Sequence, residues 1–248
     1  RRQVEMYSKV IHPVDHVVIP DRLEAATADA AFLTHLDRAV DDLRHYMSEP
    51  GWFKLKYPDH QHLRMAYCCM EYGLSGCLPI YSGGMGVRAG DHLKAASGLD
   101  LPLVAVGLLY NRGYFTQELD DEGWQRENYH LQDFTTLPVR PVMTMADGTL
   151  LQGAWGYGQG ATASAQGDTD GLAVASAVAE ATVDAGTGAA TGGAGAGLSP
   201  LPGANAGATP LKVHVDMKGR RVWTQVWRVQ VGRVPLYLLD SALPENDQ

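Results

Sequence analysis

Three closely spaced glycines, Gly83, Gly84 and Gly86, stand where the apolar segment Leu78-Pro79-Ile80-Tyr81-Ser82 gives way to a helix-like one. Glycine lets the backbone turn tightly and brings its amides close to a ligand, because no Cβ obstructs the approach. A helix that begins just after such a turn points free N–H groups and the positive end of its dipole at the same spot. This arrangement suits a phosphate or a sugar oxygen. A bare Gly-Gly-x-Gly also serves as an ordinary tight turn, so the surroundings must decide. Glu71 and Tyr72 follow the apolar run Met65–Met70 and precede the glycines. A carboxylate at the carboxyl end of a parallel strand is well placed for a ligand in the crevice there. Glu71, Gly83, Gly84 and Gly86 are therefore candidate site residues.

The elements that must hold these residues read as an alternation of strands and helices. Met65–Met70 is predicted as a buried strand, Gly86–Ser97 as a helix and Leu103–Tyr110 as a second apolar strand. Asn111-Arg112-Gly113 is a turn signal, and Tyr114–Leu119 alternates like the return strand of a hairpin. Upstream, Phe32, Leu33, Leu36, Ala39, Val40, Leu43, Tyr46 and Met47 recur at helical spacing. Asp29 is the natural N-cap of that helix, Pro50 helps to stop it, and Asp21 is expected to cap a shorter helix before it. Near the end, 212–217, 222–231 and 234–239 are rich in β-formers and are joined by Lys218-Gly219 and Gly232-Arg233. They read as an antiparallel meander.

Residues 153–210 differ from the rest. Ala, Gly, Ser and Thr dominate, and no Lys, Arg or His occurs between Arg140 and Lys212. Such a stretch buries too little apolar area to offset its ordering entropy and reads as a flexible insertion, with a weak helix at most over 171–184. The domain reading is a helical lead-in over 1–60, a first lobe with the glycine loop over 61–150, the insertion over 151–210 and a β-meander of the same lobe over 211–248.

Composition excludes several classes. A net charge of −8 over 248 residues argues against a nucleic-acid surface, which needs clustered Lys and Arg. No apolar run approaches the roughly 20 residues of a membrane span. Arg1–Pro20 carries charges without a continuous apolar core, which speaks against a signal peptide, and the missing initiator Met is expected of a fragment or a processed start. Three cysteines, Cys68, Cys69 and Cys77, are an odd count with two adjacent. They are expected to be reduced, small buried residues of a cytoplasmic protein. His60/His62 and His12/Asp15/His16 lack a clear third ligand, so no metal site is expected. Asp120-Asp121-Glu122 offers adjacent acids, but on a Gly-ended turn these read as solvated rather than as a glycosidase pair. Arg88, Asp91, His92 and Lys94 read as capping and solvated-face residues, with a phosphate clamp as the sharper alternative for Arg88.

Tyr81-Ser82-Gly83-Gly84-Met85-Gly86 followed by Ala89-Gly90-Asp91-His92-Leu93-Lys94 resembles the glycine loop of α-glucan (glycogen/starch/maltodextrin) phosphorylases, the bacterial branch in particular. The likeness continues through Leu101–Tyr110, Gly113-Tyr114-Phe115, Gly123-Trp124-Gln125, Val226–Val229, Val234–Asp240 and Pro244-Glu245-Asn246. The resemblance implies an α/β chain, the N-terminal part of a GT-B glycosyltransferase with two Rossmann-like lobes. It implies phosphorolysis of a terminal α-1,4 glucosyl unit to glucose 1-phosphate, with α-glucan or maltodextrin and inorganic phosphate as partners and a homodimer at full length. It implies pyridoxal phosphate, with Gly83 and Gly84 on its phosphate side, Met85 and Gly86 at the sugar, and Glu71 near the reacting centre as the catalytic candidate. The family's Schiff-base lysine, its basic phosphate clamp and its cleft histidine lie beyond the matched region, so the chain alone is expected to be inactive. Arg88 replaces a usual apolar residue and Gly76 a frequent acidic one. In the family the turn near 147 leads almost directly into the strand near 213, so the insertion is expected to leave a hairpin whose two ends sit close together. Two alternatives stay open: a nucleotide-sugar glucan synthase, which typically has Lys-x-Gly-Gly-Leu-Gly where this chain has Tyr81-Ser82 before the glycines, and a non-catalytic truncated glucan-binding lobe.

Overall fold

The computed structural model describes residues 20–145, 150–151, 208–217 and 219–247. In chain order the helices are α1 (Pro20–Ala28), α2 (Ala30–Ser48), α3 (Trp52–Lys56) and α4 (Gly84–Leu99). The strands are β1 (Met65–Cys68), β2 (Leu103–Leu108), β3 (Thr116–Leu119), β4 (Gln125–Asn128), β5 (Arg140–Pro141), β6 (Met143–Thr144), β7 (Leu150–Leu151), β8 (Thr209–Pro210), β9 (Lys212–Met217), β10 (Arg220–Val231) and β11 (Val234–Asp240). The chain is mixed α/β with a mixed sheet, and it divides into two compact units. The first takes the described residues up to Arg140 together with Trp227–Ala242; the second takes those from Pro141 to Val226 and those of Leu243–Gln248.

In the first unit β2 is flanked by β1 and β11, both parallel to it, with Met65 opposite Leu103 and Leu236 opposite Ala105. Parallel neighbours need a crossover, and α4 supplies it between β1 and β2. The inner strands read as near-continuous apolar runs, as strands covered on both faces do. Leu103, Val104, Ala105, Leu236 and Leu238 are buried, and α4 contributes Ala89, Leu93 and Ala96 to the same core.

Several expectations are corrected here. β1 stops at Cys68 and is mostly exposed, with Met65 and Met70 at the surface, because it lies at the end of the strand order with β2 as its neighbour. Cys68 is accordingly exposed, while Cys69 and Cys77 are half-buried; all three are free thiols. Tyr114–Leu119 does not return along β2, both of whose edges are taken. Its last four residues form β3 and pair with β4 instead, Leu119 opposite Gln125. Helix α1 begins at Pro20, so Asp21 lies inside its first turn rather than before it. Helix α2 has the expected extent, and Asp29 accepts from the amides of Ala31 and Phe32 at its start. Glu49 is extended before Pro50, which ends it. None of its residues is fully buried, however, and Phe32, Leu33, Leu36 and Met47 are exposed.

Arg233, in the turn between β10 and β11, clasps this unit together. Its guanidinium donates to the carbonyls of Ser97, Glu49 and Tyr46 and lies 4.0 Å from the centroid of the Tyr46 ring. Its amide donates to Ser97 Oγ at 2.8 Å. Asp100 ends α4 in the left-handed conformation, accepts from the Gly51 amide at 2.9 Å and pairs with Lys54 at 3.2 Å.

In the second unit β9 pairs antiparallel with residues 220–225 of β10, Asp216 opposite Arg221. Asn246 brackets Trp223, accepting from its amide at 2.8 Å and donating to its carbonyl at 2.7 Å, and Lys212 pairs with Glu245. Strand β6 lies between β7 and β8, antiparallel to each. At ordinary strand spacing the two flanking strands are about 10 Å apart. Leu150–Leu151 and Thr209–Pro210 thus lie on opposite sides of β6. The interior of the expected insertion, including the weak helix read over 171–184, lies outside the described residues.

Two outcomes follow from these contacts. Arg233→Ala lowers the unfolding free energy by about 3 kcal/mol, because it removes a largely buried cation from several acceptors, and Arg233→Lys does not restore it; urea denaturation followed by circular dichroism reads this. At the β3–β4 turn, Asp120 accepts from the Trp124 and Glu122 amides and from Arg126, and Gly123 takes φ +82°. The Trp124 amide, then Arg126, hold the Asp120 carboxyl below its usual range. A lowered folded pKa stabilises the hairpin above the unfolded value, and that support is lost as pH falls through the folded one. In an NMR titration the Trp124 amide therefore moves with a midpoint below that of an ordinary aspartate; a midpoint at the ordinary value contradicts the turn's construction.

Candidate active-site loop

The loop begins where β1 ends. Cys69 donates its amide to the Val106 carbonyl at 3.1 Å, extending the β1–β2 alignment by one residue. Tyr110, just beyond β2, donates its hydroxyl to the Met70 carbonyl at 3.0 Å. Tyr72 is fully buried and donates to the carbonyls of Tyr67 and Val106 at 2.9 and 3.0 Å. Burial, with the nearby thiols, drives its phenol far above the usual tyrosine range, so it stays a neutral anchor. Glu71, between these two fixed points, is half-buried.

Next, the chain runs against α4. The Gly73 amide donates to the Gly86 carbonyl at 2.7 Å. A Cβ on Gly90 would lie 2.2 Å from the Gly73 carbonyl oxygen, and one on Gly73 would lie 2.9 Å from the Cα of Val87. Two glycines at facing positions are therefore what lets the backbone seat directly on the helix. The chain then turns through buried Leu78 and Ile80 and reaches Ser82, which returns to Glu71. Ser82 Oγ donates to one carboxylate oxygen at 2.9 Å and its amide reaches the other at 3.3 Å.

Gly83 is the N-cap of α4 and offers no side-chain cap. Val87 donates to the Gly83 carbonyl at 3.2 Å, the first bond of the helix. Among the described residues, the amides of Gly83, Gly84, Met85 and Gly86 have no hydrogen-bond partner, and Met85 is half-exposed. The glycines divide into two kinds. A Cβ on Gly83 or Gly84 would meet nothing within 4 Å, whereas one on Gly86 would sit 2.5 Å from Tyr81 Cβ and 3.1 Å from a Glu71 carboxylate oxygen. Gly83 and Gly84 keep the front of the loop open, and Gly86 packs its back. The result is a row of amides at a helix N-terminus with the dipole behind them, suited to an oxyanion or a sugar hydroxyl.

Other candidates fall elsewhere. Arg88 and Asp91 are exposed on α4, Lys94 is half-buried, and the His92 ring lies 4.7 Å from that of Tyr67. The His60 and His62 rings are 6.2 Å apart; among the described residues no three metal-ligating side chains cluster. His12, Asp15 and His16 lie outside the described residues. Ser82 was not singled out by its sequence position, since it meets Glu71 only after the chain has doubled back over the intervening residues. Asp240, a buried carboxylate at the carboxyl end of β11, was also missed; burial raises its pKa and the Ala242 amide donates to it. It reads in sequence as the last residue of a strand.

Residues 12–78 match a family described as a protein of unknown function, DUF3417. Over 227 residues, 91% of this chain, it is 33% identical to the maltodextrin phosphorylase of Thermococcus litoralis. Over 236 residues, 93% of the chain, it is 34% identical to the glycogen phosphorylase of Mycobacterium tuberculosis. This chain belongs to the α-glucan phosphorylase family. A glycogen phosphorylase of Aquifex aeolicus is similar at 26% identity over 95% of the chain. The chain spans 20% of the length of the first two relatives and 25% of the third.

In this phosphorylase-family chain the two kinds of glycine differ in what a side chain would meet. Gly86→Ala is expected to destabilise by about 1–3 kcal/mol, because Tyr81 and Glu71 must both move. Gly84→Ala, with open space around it, is expected to leave stability unchanged or to raise it slightly. Thermal unfolding of the two variants side by side checks this, and equal losses contradict the division.

Proposed function

We propose that this chain is the N-terminal portion of an α-1,4-glucan phosphorylase, a cytoplasmic glycosyltransferase of the GT-B kind. In this reading residues 1–60 are its helical lead-in, 61–150 and 211–248 its first Rossmann-like lobe, and 151–210 an insertion in that lobe. The whole enzyme transfers the terminal glucosyl unit of maltodextrin or another α-glucan to inorganic phosphate. The bond from C1 to the glucan oxygen breaks, a bond from C1 to a phosphate oxygen forms, and a proton goes to the departing glucan hydroxyl.

The observation that carries this reading is the row of amides from Gly83 to Gly86 that have no partner among the described residues, beside two positions where a side chain would meet none of their atoms within 4 Å. The Gly83 and Gly84 amides would face the phosphate of pyridoxal phosphate, and Met85 and Gly86 would contact the glucose ring through main-chain N–H groups. Because backbone atoms do this, methionine at 85 is compatible with it. Pyridoxal phosphate, when bound, supplies a phosphate group that relays a proton toward the substrate phosphate. The donor set here fits such a group: neutral amides at a helix start, needing no cation of their own. Amides held in place before the reaction stabilise developing negative charge without reorganisation. In this reading the Glu71 carboxylate, which meets the back of the same loop at Gly86, lies near the reacting centre. The homodimer implied for the full-length enzyme belongs to the same reading.

The test uses the intact gene product. Incubated with maltodextrin and inorganic phosphate it is expected to release glucose 1-phosphate, and Gly84→Ala is expected to lower kcat at least about a hundredfold with the fold intact. The 248-residue chain alone is expected to show neither that activity nor a pyridoxal absorbance band. Release of glucose 1-phosphate by the Gly84→Ala protein at the wild-type rate would remove the loop from the mechanism.

A further inference from the structure

We propose that Ser82 is a positioning residue that acts through Glu71, the pair forming a clamp that aims the amides of the glycine loop. Its kinetic consequence rests on the phosphorylase reading; the clamp itself does not.

Both oxygens of the Glu71 carboxylate are engaged by one residue, one by the Ser82 hydroxyl at 2.9 Å and the other by the Ser82 amide at 3.3 Å. Two contacts from one residue to one planar group fix a direction as well as a distance. Glu71 is itself held on either side. Tyr110 ties the Met70 carbonyl, and Tyr72 and Gly73 are bonded to the sheet and to the Gly86 carbonyl. The carboxylate is thus a fixed post, and Ser82 is fastened to it directly before Gly83 and Gly84. An added Cβ on either glycine would meet no described atom within 4 Å, so no side-chain packing helps to hold this end of α4. Turning the Ser82 amide back onto Glu71 leaves the amides after it facing away from the described residues, none of which bonds to them.

This geometry gives Glu71 a part other than proton transfer. It also places a negative charge behind the loop, where Gly86 leaves just enough room, 3.1 Å from the position of a Cβ. Ser82 is exposed, so removing its hydroxyl takes away the clamp without opening the core.

The experiment has two arms. In the first, 15N relaxation is measured on this chain. The Gly83 and Gly84 amides are expected to have order parameters near the rigid value of about 0.85 in the wild type and below about 0.6 in Ser82→Ala, with Ser82→Thr restoring rigidity. Unchanged order parameters in Ser82→Ala overturn the clamp. In the second, the intact gene product is assayed for glucose 1-phosphate release from maltodextrin. Ser82→Ala is expected to lower kcat about tenfold, with KM for maltodextrin changed less than about twofold and Ser82→Thr recovering most of the loss. Glu71→Gln combined with Ser82→Ala is expected to be no slower than the slower single variant, as for two members of one clamp. Wild-type kcat in Ser82→Ala, or losses that multiply in the double variant, overturn the proposed action on catalysis. An intact wild type that releases no glucose 1-phosphate counts against the phosphorylase reading alone, because the relaxation arm still decides the clamp.

Discussion

The close seating of the Gly73 backbone on α4 is the contact on which the rest depends. With hydrogen in place of a side chain at 73 and at 90, one main chain approaches the other closely enough for the Gly73 amide to reach the Gly86 carbonyl. That contact fixes the start of α4 relative to the end of β1. Everything at the loop is set from there: the height of Glu71, the distance Ser82 must cover to reach it, and the direction of the amides that follow. A methyl group at either glycine would push the helix outward by more than side-chain adjustment can absorb, since the nearest atoms are backbone.

The first unit supplies rigidity in proportion. Strands β2 and β11 are largely buried, α4 packs on this core, and Arg233 fastens the far end of that helix to α2 and to the β10–β11 turn. The open end of α4 carries the unsatisfied amides; its other end is closed by Asp100 with Gly51 and Lys54. The helix is secured at its C-terminal end, and among the described residues the amides of its N-terminal end have no hydrogen-bond partner. The exposed apolar residues of α2 and the exposed strand β1 stand apart from this arrangement.

Much of this was legible in the sequence, and the exceptions share a cause. Helix α2 and its Asp29 cap, helix α4, strand β2 and the three strands of 212–240 all follow from local period and capping chemistry. The mistakes concern which strand neighbours which. Tyr114–Leu119 alternates correctly, but alternation does not say that β2 already has two partners; the tight turn built by Asp120 and Gly123 sends β3 to β4. The exposure of β1 likewise depends on its place at the end of the strand order, which its apolar composition does not reveal. Within the candidate loop, Glu71 and the glycines could be named in advance because their types and order carry a motif. Ser82 was not, because its partner lies eleven residues back and is reached only when the loop closes. Nor does sequence show that Gly83 and Gly84 are open while Gly86 is packed, since all three are the same residue.

The most direct measurement is an NMR titration of the intact gene product with inorganic phosphate and maltodextrin, followed at the backbone amides. The account predicts that the Gly84 and Met85 signals shift downfield and saturate together, with smaller changes along the rest of α4. Saturable binding of both ligands that leaves the 83–86 amides unmoved would contradict it.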